Sequence, residues 1–173
     1  TYYTIIIGAN SFIGKNLIKK LSRGKLITLT RISNHRLPNN YVFKIGDDLE
    51  KILPKKLLVS KIIYLAWERR RKLINGLDIN ISGLSKIKKY AIRKDCSLFF
   101  ASSFSAIKKI NYYGTIKGKC ENLLIKRKKF KIFRIAMVTS RKGGLLASIN
   151  NFFKKSPFVV IPGKGDFLIY TVN

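Results

Sequence analysis

Acidic side chains are scarce in this sequence of 173 residues, because 8 Asp and Glu stand against 36 Lys and Arg and give a formal net charge of +28. This balance excludes an acidic disordered chain, and a hydrophobic content of 46% argues against disorder in general. The two cysteines, Cys96 and Cys120, are too few for a disulfide scaffold and fit a reducing compartment. The single histidine, His35, has no cluster of Cys, His or carboxylate residues beside it, so we expect no metal site.

Long hydrophobic runs are also missing. No segment approaches the roughly 18 consecutive apolar residues that a membrane-spanning helix needs. The N-terminus lacks the charged, apolar and small-residue succession of a signal peptide. We therefore expect a cytoplasmic protein with no membrane partner. A chain of 173 residues is long enough for one well-packed domain and too short for two.

Basic residues are the most abundant charged feature. Two blocks, residues 69–72 and 126–129, could contact the phosphates of a nucleic acid. Because Lys and Arg are spread through nearly every segment, we interpret them mainly as helix faces exposed to solvent. Nucleic acid is therefore not the expected partner, although a basic nucleic-acid-binding protein remains an alternative.

Short apolar runs alternate with amphipathic segments along most of the chain. Strands are predicted at residues 2–7, 25–30, 41–45, 61–66, 97–101 and 131–136, and helices at 12–21, 49–53, 74–94 and 112–126. Strands that alternate with helices imply βαβ crossovers and hence a parallel sheet. Right-handed crossovers then place helices on both faces. The predicted fold class is α/β, a Rossmann-type doubly wound parallel sheet.

The alternation loosens after Arg141. The remaining pattern predicts a helix at residues 145–153 and strands at 158–161 and 167–172. We therefore divide the chain into a dinucleotide-binding domain, residues 1–141, and a short second part, residues 142–173.

A glycine-rich turn joins the first strand to the first helix. It reads Gly8-Ala9-Asn10-Ser11-Phe12-Ile13-Gly14. In such a turn Gly8 permits the tight bend, Gly14 permits close packing of helix on strand, and the N–H groups at the helix start face a dinucleotide pyrophosphate. Ser11 is small and could donate a hydrogen bond to a phosphate. A plain strand–turn–helix connection is the alternative interpretation.

Tyr113 and Lys117 lie four residues apart at the start of a predicted helix, on the same face. A nearby ammonium stabilises a phenolate and lowers its pKa, so such a tyrosine can exchange protons near neutral pH. In a lysine-rich chain, a solvated pair is the alternative.

Ser102 and Ser103 follow the fifth predicted strand at its carboxyl end. Ligands of open α/β sheets bind at this edge, and a serine there could hydrogen-bond a substrate hydroxyl or carbonyl. The alternative is that these serines only cap and turn the chain.

Together these segments resemble the extended short-chain dehydrogenase/reductase family, the NAD-dependent epimerase/dehydratase group that acts on nucleotide sugars. The resemblance covers most of the chain and rests on the segments IIIGANSFIGKNLIKKL, GDDLEKIL, IIYLAW, NISGL, FFASSFSA, YYGTIKGKCENLL, FRIAMV and PGKGDFLIYTVN. Where the chain ends at Asn173, the substrate-binding part of the family continues. The resemblance therefore implies that residues 142–173 are the start of an incomplete substrate-binding part.

The resemblance implies a role for each catalytic residue. Tyr113 exchanges a proton while hydride moves between a sugar carbon and the nicotinamide. Lys117 holds the nicotinamide ribose and lowers the pKa of Tyr113, and Ser103 orients the substrate oxygen.

The resemblance also implies a cofactor site. An Asp after the third strand contacts the adenine, with Asp47 as the better match and Asp48 as the alternative, and Trp67 could border the cofactor cleft. The expected cofactor-binding residues are Gly8, Asn10, Ser11, Phe12, Ile13, Gly14, Arg31, Asp47, Asp48, Leu65, Ala66, Trp67, Asn80 and Lys117.

The end of the second strand bears on the choice of cofactor. Arg31 stands where a carboxylate would select the 2′-hydroxyl of NAD, and an arginine could accommodate a 2′-phosphate. The sequence therefore favours NADP over NAD.

The predicted function is that of an NAD(P)-dependent epimerase, dehydratase or reductase acting on a nucleotide sugar, an oxidoreductase-type activity in polysaccharide biosynthesis. The resemblance is also compatible with a homodimer formed through the helix that carries Tyr113. The alternative is a non-catalytic dinucleotide-binding or regulatory module.

Overall fold

The computed structural model describes residues 1–21, 25–140, 143–144 and 171–172. The chain divides into two compact units, Thr1–Arg134 and Ile135–Asn173. The domain boundary predicted between residues 141 and 142 lies within the second unit. The helix predicted at 145–153 and the strand predicted at 158–161 lie outside the described residues. Of the strand predicted at 167–172, only Thr171–Val172 is described, and it is extended.

Strands and helices are interspersed along the chain up to residue 135. The strands are β1 Tyr3–Ile7, β2 Leu26–Thr30, β3 Asn40–Val42, β4 Val59–Tyr64, β5 Leu73–Ile74, β6 Leu77–Asp78, β7 Ser97–Ser103, β8 Phe130–Ile135, β9 Met137–Ser140, β10 Gly143–Gly144 and β11 Thr171–Val172. The helices are α1 Phe12–Lys20, α2 Leu49–Ile52, α3 Ile79–Arg93, α4 Ser105–Lys108 and α5 Tyr112–Leu124. Within the second unit, β9 pairs with β10 and with β11.

Six strands form the main sheet in the order β3-β2-β1-β4-β7-β8. The pairings of β1 with β2 and β4, of β2 with β3 and of β4 with β7 are all parallel. Strand order runs outward in both directions from β1, as right-handed crossovers on two faces require. The predicted Rossmann-type doubly wound sheet is confirmed.

The apolar run of β1 explains why both faces of the sheet are covered. Successive side chains of a strand point to opposite faces. Ile5 and Ile7 belong to the larger core, which includes residues of α3 and α5. Ile6 packs on the other face against Leu17 and Ile18 of α1. A strand buried on both sides reads as a continuous hydrophobic run.

The helix predicted at residues 74–94 is shorter than expected. Residues 73–78 form a β-hairpin in which β5 pairs antiparallel with β6, and α3 begins only at Ile79. Asn75 and Gly76 have φ values of +50° and +74°, which two-residue hairpin turns require. Asp78 caps the helix by accepting a hydrogen bond from the backbone N–H of Asn80 at 2.8 Å.

The interpretation of the basic blocks as helix faces is wrong for the two blocks named. Residues 69–72 form an irregular segment after β4, and residues 126–129 form turns between α5 and β8. The third strand is also shorter than predicted, because the Asp47 carboxylate accepts a hydrogen bond from the Lys44 backbone N–H at 2.7 Å and closes a turn there. In the described part of the chain, no helix is long and apolar enough to cross a membrane.

Candidate active site

A cleft of about 670 Å³ opens at the carboxyl ends of β1, β2 and β4. Ligands of open α/β sheets bind at this edge, where the strand order reverses. The cleft is lined by Gly8, Asn10, Ser11, Leu29, Thr30, Arg31, Phe43, Lys44, Ile45, Leu65, Ala66, Trp67, Glu68, Arg69, Arg70, Lys72 and Ile79. Seven of the residues expected to bind a cofactor are among them: Gly8, Asn10, Ser11, Arg31, Leu65, Ala66 and Trp67.

The glycine-rich turn forms one wall of the cleft. Gly8 has a φ of +88°, and a Cβ there would lie 2.7 Å from the backbone nitrogen of Ala66. A Cβ on Gly14 would lie 2.7 Å from the carbonyl oxygens of Gly8 and Ala9. Both positions therefore require glycine, one for the turn against the end of β4 and one for packing α1 on the turn.

Ser11 is the N-cap of α1, and its Oγ accepts a hydrogen bond from the Gly14 backbone N–H at 3.0 Å. Its hydroxyl proton is not used in that bond and can be donated to an anionic ligand. The N–H groups of Phe12 and Ile13 stand in the first helical turn, where an α-helix leaves donors without intrahelical acceptors. The turn therefore fits a pyrophosphate by its hydrogen-bond donors and by the helix dipole.

Three other expected cofactor residues are engaged in the protein's own structure. Asp47 closes the turn described above, and Asp48 caps α2 by accepting a hydrogen bond from the Glu50 backbone N–H at 3.1 Å. Asn80 is buried, and its amide clamps the chain after β4: Oδ1 accepts from the Glu68 N–H at 2.8 Å and Nδ2 donates to the Glu68 carbonyl at 3.1 Å. Asn80 thus positions the wall of the cleft.

Ser102 and Ser103 are the last residues of β7 and point in different directions. Ser102 is buried and donates a hydrogen bond to Glu121 at 2.5 Å. Arg134 donates to the same carboxylate, with a shortest Nη2–Oε2 distance of 2.7 Å. Burial raises the pKa of Glu121, but the hydrogen bonds from Arg134 and Ser102 outweigh it and leave the pKa below its usual range. This network fixes α5 to the end of the sheet.

Ser103 and Tyr113 are brought together at the start of α5. Burial raises the pKa of Tyr113, while the side-chain hydrogen bond with Ser103 and the charge of Arg69 oppose this shift. The net pKa lies above the usual value. The pKa of Tyr113 is therefore not lowered as expected, and the cation that opposes its rise is Arg69.

Lys117 is buried, and its Nζ lies 5.7 Å from the centre of the Tyr113 ring. The ammonium donates a hydrogen bond to the Ala101 carbonyl at 2.6 Å and lies 3.8 Å from the centre of the Trp67 ring. Burial lowers its pKa to about 8. The two residues share a helix face as predicted, but the ammonium is held by a carbonyl and by aromatic rings.

Several basic residues of the cleft were not expected to line it. Lys44, Arg69, Arg70 and Lys72 all do so, beside a single carboxylate, Glu68. Their signal in the sequence is their position near the carboxyl ends of the third and fourth strands, which form the binding edge. No group of three potential metal ligands occurs within the described ranges.

No protein-family model matches the sequence, and a search of the curated proteins finds no match. Solved structures are similar. The UDP-N-acetylglucosamine 4-epimerase from Bacillus cereus has a TM-score of 0.65 at 21% identity, over 90% of this chain and 60% of the epimerase. A hypothetical dTDP-4-dehydrorhamnose reductase from Sulfolobus tokodaii has a TM-score of 0.66 at 24% identity, over 82% of this chain and 58% of the reductase.

The enzyme WbmG from Bordetella bronchiseptica, solved in complex with NAD, has a TM-score of 0.65 at 14% identity. It matches 90% of this chain and 60% of its own, so the chain spans about 60% of the length of these three structures. Identities of 24% and below establish the fold. The chain shares the Rossmann-type fold of these structures.

Proposed function

We propose that the chain is an NAD(P)-dependent enzyme that epimerises, dehydrates or reduces a nucleotide sugar. The observation that carries this proposal is the grouping of Ser103, Tyr113 and Lys117 beside Trp67, a residue that lines the cleft. A hydroxyl, a phenol and a nearby ammonium provide the groups that a proton transfer to or from a sugar oxygen needs.

The cleft fits a nicotinamide dinucleotide. Gly8 leaves room for a pyrophosphate beside the backbone, and Ser11 with the first N–H groups of α1 supplies donors to it. Arg31, exposed at the end of β2, is placed to contact a ribose 2′-phosphate, which supports NADP over NAD. When bound, the nicotinamide supplies hydride transfer; the protein supplies placement and charge.

Tyr113 is the proposed acid/base. Its raised pKa keeps the phenol protonated at neutral pH, so it is set to donate a proton to a developing alkoxide. The charge of Arg69 favours the phenolate that forms. Ser103 hydrogen-bonds the phenol oxygen and orients a substrate oxygen beside it. Lys117 is placed to donate to a ribose hydroxyl beside the tyrosine.

The substrate and setting follow from the same resemblance. Five basic residues line the cleft against one carboxylate, which favours a ligand with several negative charges such as a nucleotide sugar. A role in polysaccharide biosynthesis, a cytoplasmic location and a homodimer paired through α5 belong to the proposal.

The decisive experiment measures binding and turnover separately. Calorimetry on the full chain should show binding of NADP, and weaker binding of NAD. UDP-N-acetylglucosamine and other nucleotide sugars are then assayed by NMR for epimerisation, dehydration or cofactor-dependent reduction. Tyr113→Phe removes the hydroxyl that moves the proton, so turnover should fall at least about a hundredfold, while dinucleotide affinity stays within about twofold.

Tyr112→Phe is the matched control, because it removes a hydroxyl one residue earlier. The Tyr112 hydroxyl donates to Asp78 and helps fix the start of α5 to the start of α3. This variant should lose stability yet keep most of its turnover. Equal loss of turnover in both variants, or full turnover by Tyr113→Phe, would show that Tyr113 is not the acid/base.

A non-catalytic dinucleotide-binding module is the second candidate. It is favoured by one observation: Ser103, Tyr113 and Lys117 are not among the residues that line the cleft. This candidate predicts tight dinucleotide binding with no turnover on any nucleotide sugar, and the same experiment distinguishes the two.

A further inference from the structure

Trp67 belongs to the cleft lining and also contacts two of the residues proposed to carry the chemistry. It follows Ala66 at the carboxyl end of β4 and lines the cleft. Its ring meets the ring of Tyr113 edge to face at a centroid distance of 5.4 Å. The Lys117 ammonium lies 3.8 Å from the indole centre. The same residue therefore belongs to the cleft and contacts the proposed site.

The backbone on either side of Trp67 is fixed. The Leu65 N–H donates to the Ile7 carbonyl at 2.8 Å, which ties the chain to β1. The N–H and carbonyl of Glu68 are both bonded to the Asn80 amide, at 2.8 and 3.1 Å. Because the chain is held one residue after Trp67 and two residues before it, movement at this place belongs to the side-chain torsions of the indole and not to a loop.

We propose that the Trp67 indole is a gate that must turn away from Lys117 before the nicotinamide end of a dinucleotide reaches the ammonium. This inference rests on the proposed function. A ligand in the cleft reaches Gly8, Ser11 and Arg31 directly, whereas the indole covers the ammonium and packs against the phenol. The adenine and pyrophosphate portions can thus bind while the gate is closed.

Opening the gate exchanges one partner of Lys117 for another. A lysine ammonium carries three donors, and one of them is held by the Ala101 carbonyl at 2.6 Å. Rotation of the indole breaks its cation–π contact and uncovers the ammonium without disturbing the Ala101 bond. A hydroxyl of the nicotinamide ribose can then accept from the uncovered ammonium and offset the lost contact.

The gate can be observed directly because Trp67 is the only tryptophan in the chain. We compare NADP and NAD with adenosine 2′,5′-bisphosphate and ADP, which carry the adenine half alone, at saturation measured by calorimetry. The dinucleotides should shift the tryptophan emission and change its quenching by acrylamide, because the indole leaves Tyr113 and Lys117. The adenine fragments should bind and leave both properties unchanged.

Variants of Trp67 measure the cost of opening. Trp67→Ala removes the gate, so dinucleotide affinity should rise about fivefold while the affinity for the adenine fragments stays the same, as loss of a contact of about 1 kcal/mol implies. Trp67→Phe keeps a ring over Lys117 and should give a smaller rise. If Trp67→Ala fails to fold, the emission of the wild-type protein and the dinucleotide affinity of Trp67→Phe still test whether the indole acts as a gate.

Results that contradict the gate can be distinguished from results that contradict the proposed function. Dinucleotide binding that leaves the emission unchanged overturns the gate and spares the proposed function. A selective loss of dinucleotide affinity in Trp67→Ala also overturns it, since the indole would then be a surface on which the nicotinamide stacks. Binding of no dinucleotide at all overturns the gate and the proposed function together.

Discussion

Lys117 is the residue whose surroundings depart furthest from those of an ordinary lysine. Its ammonium is buried against the rings of Trp67, Phe100 and Tyr113, at 3.8, 4.7 and 5.7 Å from their centres. A carbonyl and three rings replace water only in part, so the fold disfavours the charged form and the pKa falls to about 8. Burial of the Lys117 ammonium therefore lowers the stability of the folded protein, a cost that an uncharged side chain at this position would not carry.

Lys117→Met tests that cost through its pH dependence. The lysine pKa falls from 10.5 to about 8 on folding. Between these values the unfolded chain holds a proton that the folded chain has released, so this group makes the free energy of unfolding rise with pH. Urea unfolding from about pH 7 to about pH 10 should show wild type gaining about 2 kcal/mol relative to Lys117→Met.

Other titrating groups do not disturb this comparison. Cys96, whose pKa burial raises to about 11, lowers stability at high pH in wild type and variant alike. Lys117 lowers the pKa of Cys120, but burial still holds that pKa at about 12, so the folded thiol stays protonated up to about pH 10 with or without the lysine. Lys119→Met is the matched control, because Lys119 is exposed on the same helix. Parallel curves for wild type and Lys117→Met would mean that the ammonium is not disfavoured in the fold.

At the scale of elements, the contact between α4 and α5 sets the geometry of the site. A Cβ on Gly114 would lie 2.3 Å from the carbonyl oxygen of Ser105, the first residue of α4. The two backbones therefore meet directly one residue after Tyr113 and two residues after Ser103. A side chain at this glycine would separate the helix that carries the phenol from the strand end that carries the serine.

Gly114→Ala should therefore destabilise the protein by about 1–3 kcal/mol, because a methyl group is forced against backbone that cannot yield. Turnover should also fall, since Tyr113 and Ser103 move apart. Gly118→Ala on the same helix is the control: its Cβ would meet the flexible Cε of Lys109 at 2.8 Å. Alanine favours a helix over glycine by about 1 kcal/mol, so this variant should be neutral or stabilising in urea unfolding. Equal losses in both variants would contradict the close contact.

The sequence predicted most elements of the first unit because their apolar periodicity is strong. The run of three isoleucines in β1 and the pattern of α3 reflect burial on the two faces of one sheet. The ends of the elements were predicted less accurately, because hydrogen bonds of local side chains decide where an element begins and ends. Asn75-Gly76 carried the signal of a hairpin turn within an apparent helix, and Asp47 ended β3 early.

The site was predictable in its parts and not in its arrangement. Glycine spacing indicated the turn, and the Tyr113–Lys117 spacing indicated a shared helix face. The spacing of residues in the sequence does not reveal three contacts of the site. Asn80 holds the chain at Glu68, Ser102 donates a hydrogen bond to Glu121, and the Trp67 ring covers the Lys117 ammonium. These are contacts between segments far apart in the chain, which the packing of the whole sheet decides.

At the scale of the whole molecule, the net charge of +28 remains mostly unpaired. Across the described residues there are three ion pairs: Arg93–Glu50 at 2.7 Å, Lys129–Asp95 at 2.6 Å and Arg134–Glu121 at 2.7 Å. With 8 acidic residues for 36 basic ones, most cations cannot have a carboxylate partner. The folded chain brings these cations closer than the unfolded chain does, so their mutual repulsion opposes folding.

Added salt should therefore stabilise this protein. Raising sodium chloride from about 0.05 M to about 0.5 M shortens the Debye length from more than 10 Å to less than 5 Å and screens the repulsion. Urea unfolding at fixed pH should show a gain of at least about 1 kcal/mol, or roughly 2–4 °C in the thermal midpoint. Lys89→Glu places an opposite charge among Lys86 and Arg93 on the exposed side of α3. This variant should exceed wild type in stability at low salt, and its advantage should shrink at high salt. A stability that is flat or falls with salt would mean that repulsion among the cations is already relieved, and the excess charge would then have no measurable effect on folding.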